Sequence, residues 1–89
     1  MDEEKDVFKS LITFSTFILS LNTAALIHLG ELEDPMTRKK QVNLELAKQT
    51  IDTLEMLKEK TKGNLTFDEE KLLDSIIYEL KLKYIRLCK

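Results

Sequence analysis

Two glycines, one proline, one cysteine and no tryptophan occur in this chain of 89 residues. So few breakers leave few places to turn, which excludes the many short strands and Gly/Pro-rich turns of a β-sandwich or barrel. A single Cys88 cannot form an internal disulfide, and it lacks companions for a thiolate zinc site. A reducing, cytoplasmic compartment is the expectation. Histidine is equally scarce. His28 alone rules out paired His ligands, and no Ser/His/Asp set or Cys/His pair stands in a recognised sequence context, so no metal, no cofactor and no catalytic residue is expected. An excess of basic charge is also missing: the net charge of −2 argues against a dedicated nucleic-acid binder. The opening Met1-Asp2-Glu3-Glu4-Lys5-Asp6 is acidic where a secretory signal needs positive charge, and no targeting peptide is expected.

What is present is 43% apolar and 34% charged residues, the composition of a folded helical domain rather than a disordered segment. Residues 1–89 read as one domain, all-α, with three helices over about 3–29, 43–62 and 66–88. Gly30 ends the first helix, and a polar loop containing Asp34-Pro35 follows. Asn43 is the natural N-cap of the second. Lys60-Thr61-Lys62-Gly63-Asn64-Leu65-Thr66 then writes a helix stop, a reversal and a new start. Gly63 or Asn64 takes the reversed backbone, and Thr66 with Glu69 forms a capping box. Asp68 and Glu70 complement the positive end of the third helix, and Lys81, Lys83, Arg86 and Lys89 the negative end. Helix two carries an apolar stripe at Leu44, Ala47, Ile51, Leu54 and Leu57. Helix three carries Leu72, Leu73, Ile76, Ile77, Leu80, Tyr84 and Leu87. Each reads as amphipathic with a single wet face, and the tight connection makes them an antiparallel hairpin on which the long first helix packs.

The first helix differs. Phe8, Leu11, Ser15, Ile18, Asn22, Ala25 and Leu29 form a heptad seam with apolar flanks. Its remaining stripe is Ser10, Thr13, Thr16, Ser20 and Thr23, and from Val7 to Leu29 only Lys9 is formally charged. Thr16, Ser20 and Ala24 form a small-residue ridge that lets another helix approach closely. Ser15, Thr16, Ile18, Ser20, Asn22 and Ala24 are therefore the expected homo-oligomer interface, with Asn22 either a register residue or bonded to a loop within one subunit. A membrane span is the rival reading, weakened by Asn22, His28 and the missing basic flanks and aromatic belt. A monomer with its hydroxyl stripe in water is the third.

Other chemistry has bland explanations. His28, followed by Glu31, Glu33 and Asp34, fits helix capping better than metal binding. Asp68-Glu69-Glu70 points in different directions along a helix and fits a first-turn dipole role. Arg38-Lys39-Lys40 with Lys58, Lys60 and Lys62 fits a solvated face better than a phosphate patch. A small dimeric helical enzyme of the chorismate-mutase type would need several buried cations for its dianion, whereas helix one offers Lys9 alone.

The run Leu46-Ala47-Lys48, Ile51-Asp52, Leu54, Leu57, then Lys60-Thr61-Lys62-Gly63-Asn64-Leu65-Thr66, Glu69 and Leu72-Leu73 resembles a bacterial family of short helical proteins known only as a domain of unknown function. Phe14, Phe17-Ile18, Ser20-Leu21, Ala24, Leu29-Gly30 and Pro35 carry the same resemblance, which spans about Phe8 to Tyr84 with a Lys-Thr-x-Gly-Asn-Leu-Thr core. It implies a bacterial origin and an all-helical domain, and transfers no activity. The expectation is a non-enzymatic interaction or scaffold module that self-associates through helix one, with an unidentified protein partner as a further prospect. A peripheral or membrane-associated accessory protein and a small helical enzyme are the alternatives.

Overall fold

A computed structural model describes residues 12–88. It contains α1 (Phe14–His28), α2 (Leu44–Lys60) and α3 (Phe67–Leu87). Each helix packs on the other two, and the fold is all-α. Among the described residues no β-strand forms, and Leu29 and Val42 make a single isolated antiparallel bridge.

The first helix departs from the expected boundary. Residues 3–11 of the expected span lie outside the described residues, and the helix does not run through Thr13, whose backbone is extended at φ −122°, ψ 164°. Thr13 is instead an N-cap. Its hydroxyl accepts from the Thr16 amide at 3.0 Å, and the Thr13 amide donates to the Thr16 hydroxyl at 2.9 Å. That is a capping box in which a threonine fills the place usually taken by Glu or Gln. At the far end Gly30 adopts φ +78°. The Glu31 amide reaches back to the Leu26 carbonyl and the Gly30 amide to that of Ile27, the two bonds of a Schellman motif.

The loop from Glu31 to Val42 is closed at its base by the Leu29–Val42 bridge and by the Asn43 amide donating to the His28 carbonyl at 2.7 Å. Asn43 then caps α2 through the Leu46 amide. At the hairpin Thr61 is the C-cap of α2. Its hydroxyl donates to the Leu57 carbonyl, and its own carbonyl accepts from the Asn64 amide at 2.9 Å. Gly63 occupies the third position of that turn at φ +85°, where a side chain would be strained. Thr66 and Glu69 form the expected box, with bonds of 2.8 and 3.2 Å.

The core joins all three helices: Ile18 and Ala25 from the first with Leu29 at its C-cap, Ala47, Ile51 and Leu54 from the second, Leu73, Ile76, Ile77 and Leu80 from the third. Phe14, Leu21, Leu26, Leu65, Leu72 and Tyr84 pack around it. Each fully buried Leu or Ile contributes about 1.5–3 kcal/mol relative to exposure. Ala25 and Ala47, both fully buried, keep the helix surfaces flat where α1 and α2 join that core.

Candidate functional site

α1 presents two different seams. Ile18, Ala25 and Leu29 are buried against the protomer's own hairpin, with Ser15 and Asn22 half-buried beside them. Ser15, Ile18 and Asn22, three of the six residues expected at an interface, therefore face inward, and Ile18 at 0% exposure has no surface left to offer. Packing decides this, because the widest apolar arc goes to the largest apolar surface available, the α2–α3 hairpin. The opposite face carries Thr16, Ser20, Thr23 and Ile27 at steps of four, three and four. Thr16, Ser20 and Thr23 are exposed, Ala24 and Ile27 half-buried, and Phe17 (49% exposed) and Leu19 (44%) form its shoulders. Of the six expected interface residues, Thr16 and Ser20 lie outward and Ala24 at the edge.

The hydroxyls of that outward face are turned onto its own backbone. Ser20 Oγ donates to the Phe17 carbonyl at 2.6 Å, Thr23 Oγ1 to the Leu19 carbonyl at 3.1 Å, and Thr16 Oγ1 to the Thr13 carbonyl at 3.0 Å. Back-bonding of this kind leaves little donor capacity to desolvate. Between Phe14 and His28 there is no Lys, Arg, Asp or Glu.

The other end of the molecule carries charge. Across the α2–α3 seam Lys58 pairs with Asp74 at 2.7 Å and Lys81 pairs with Glu55. Asp74 Oδ1 and Glu55 Oε1 are shielded from water, so these ammonium groups are their compensation. The hydrogen bond to Asp74, then its charge, raises the Lys58 pKa above the usual 10.5, as Asp52 does for Lys48. A groove of about 440 Å³ runs along this end, with Ile77 and Leu65 among its lining and Lys62, Glu59 and Glu70 among its polar groups. Gly63, Asn64, Thr66 and Glu69 come together here as turn and cap. Their bonds are to backbone or to one another, as expected of structural residues.

Among the described residues no group of three His, Cys, Asp or Glu side chains converges to hold a metal ion. His28 is half-buried in the last turn of α1. Cys88, exposed, is hydrogen-bonded to Tyr84, which raises the Tyr84 pKa together with its desolvation. Lys60, Lys62, Arg38, Lys39 and Lys40 are exposed. The single wet face expected of the third helix is corrected. Phe67, Tyr78, Leu82 and Ile85 are all exposed on it, a second apolar stripe overlooked because Lys and Glu alternate with it in sequence. The spacing Tyr78, Leu82, Ile85 was its available signal.

No helix among the described residues is long and apolar enough to cross a membrane. α1, at 15 residues, spans roughly 22 Å, against about 30 Å of hydrocarbon. A family model described as "Domain of unknown function (DUF1844)" matches residues 11–86. No curated protein and no solved structure matches the chain.

Proposed function

The chain belongs to the DUF1844 family of domains of unknown function, and from that premise we propose that it is a non-enzymatic interaction or scaffold module that self-associates through the outward face of α1. The observation that carries this reading is the pairing of an uncharged helix face with hydroxyls already bonded to their own carbonyls. A solvent-facing surface gains from Lys and Glu, whereas a surface to be covered gains from having no unmet donors. Thr16, Ser20 and Thr23 are small enough for a second helix to approach between the shoulders Phe17 and Leu19. Two of the three lysines lining the groove at the hairpin end, Lys58 and Lys81, are engaged by Asp74 and Glu55 across the α2–α3 seam, which supports a structural role for them.

Sedimentation equilibrium tests this. The wild type is expected to exceed monomer mass, and Ser20→Lys, at an exposed position, to lower the mass while retaining helical content, with the melting temperature falling only by the stabilisation that association supplied. An unchanged mass in that variant refutes the α1 interface. Vesicle co-sedimentation addresses the peripheral-membrane alternative. Interfacial helices ordinarily carry Lys or Arg on the polar face, and α1 has none, so no vesicle binding is expected.

A further inference from the structure

We propose that the outer face of α3 is a second self-association surface, on which α3 pairs antiparallel with α3 of another copy about a twofold axis at Ile77–Tyr78. Phe67 (77% exposed), Tyr78 (66%), Leu82 (38%) and Ile85 (56%) fall within about 60° of arc on the side away from the core. Nothing among the described residues covers them. The occupant is indicated by how charge lies along this helix. Its first half carries Asp68, Glu69, Glu70 and Asp74 against one cation, Lys71, and its second half Lys81, Lys83 and Arg86 against one anion, Glu79, so the two halves are of opposite net charge.

A twofold axis perpendicular to the helix makes residue i face residue j and j face i. Asp68 and Arg86 lie on one flank of the stripe, five turns apart, and their midpoint is residue 77. Asp74 and Lys81 lie on the other flank, two turns apart, and their midpoint falls between 77 and 78. Both opposite-charge pairs thus close about the same point, which is also the centre of α3. Parallel pairing would instead bring the two acidic ends together at one end and the two basic ends together at the other. Asp74 and Lys81 already bond to Lys58 and Glu55. Asp68 and Arg86 make no ion pair among the described residues.

Shape agrees with charge. Two shallow grooves lie along α3 on either side of its centre, one of about 370 Å³ bordered by Phe67, Lys71 and Asp74, the other of about 220 Å³ bordered by Tyr78, Leu82 and Arg86. The same twofold axis lays each groove over the other groove of the partner, so the large side chains enter them as knobs into holes. Apolar contact then supplies the adhesion, while the end charges set direction.

This surface is independent of the α1 face, and mass measurements separate the two. Tyr78→Ser/Ile85→Ser alters exposed side chains and is expected to halve the mass of the assembly with helical content retained. Asp68→Lys is expected to weaken association roughly tenfold, and Asp68→Lys/Arg86→Asp to restore it, because the swap recreates the pair in the antiparallel arrangement alone. Should the α1 reading fail, Ser20→Lys leaves the mass unchanged while Tyr78→Ser/Ile85→Ser still gives monomer. A mass unaffected by Tyr78→Ser/Ile85→Ser, a monomeric wild type, or a double charge variant weaker than Asp68→Lys alone overturns the proposal.

Discussion

At the scale of single residues, the two glycines do different work although both take positive φ. A Cβ on Gly63, at φ +85°, would meet nothing within 4 Å. A Cβ on Gly30, at φ +78°, would stand 2.9 Å from Val42 Cγ2. Gly63→Ala therefore costs only the left-handed backbone penalty of about 1–2 kcal/mol. Gly30→Ala adds displacement of Val42 and with it the Leu29–Val42 bridge that closes the loop, so it is expected to be the more destabilising variant by urea denaturation. Equal losses would show that the bridge yields freely. Ionisation gives a second test at this scale. Lys48 and Lys58 are raised above 10.5 by their carboxylate partners, and Tyr84 above 10.0 by its bond to Cys88. A raised folded pKa means the contribution is complete below the unfolded value and is lost as pH climbs through the folded one. Stability is expected to be insensitive to these groups near neutrality and to fall above about pH 10. An alkaline melt in which stability rises over that range would contradict the assignment.

At the scale of helices, what was legible in the sequence was what is decided within three or four residues. Asn43, Gly63, Thr66 and Glu69 act on neighbours in sequence, and each stands where the local pattern puts it. The start of α1 was hidden for a physical reason. The cap is made by Thr13 and Thr16, two hydroxyls inside an apolar run, with no Gly, Pro or acidic residue to mark it. Which seam of α1 faces the hairpin was also not local, since both faces repeat at three- and four-residue steps and only packing chooses between them. The Lys58–Asp74 and Glu55–Lys81 pairs were out of reach for the same reason: they depend on which flanks of α2 and α3 meet. The exposed stripe on α3 lay within a helix whose core face was already accounted for. The α1 boundary is open to a direct check. Thr13→Ala removes the hydroxyl that accepts from the Thr16 amide and is expected to cost about 1 kcal/mol, as is Thr66→Ala at the start of α3. If Thr13→Ala leaves the denaturation midpoint unmoved while Thr66→Ala shifts it, the helix does not begin where Thr13 caps it.

At the scale of the whole molecule, a small chain has limited core to draw on. Among the described residues ten hydrophobic side chains are buried, whereas Phe17 and Leu19 on α1 and Phe67, Tyr78, Leu82 and Ile85 on α3 remain at the surface. Domains of this size bury a smaller share of their surface than large ones, and association is one of the ways they gain the rest. Self-association then enters the stability itself. Where unfolding is coupled to dissociation of a dimer, each tenfold rise in concentration adds about 1.4 kcal/mol per dimer, or about 0.7 per protomer. With an unfolding entropy of about 2.1 cal/mol/K per residue, that corresponds to a melting temperature rising by about 4 °C per decade for a chain of this length. Calorimetric or circular-dichroism melts between about 1 µM and about 1 mM are expected to show that slope in the wild type. Ser20→Lys and Tyr78→Ser/Ile85→Ser should each flatten it in proportion to the interface they remove, and the two combined should abolish it. A wild-type melting temperature that stays constant over the same range would mean that the three-helix core stands without help, and that neither face is covered by another copy.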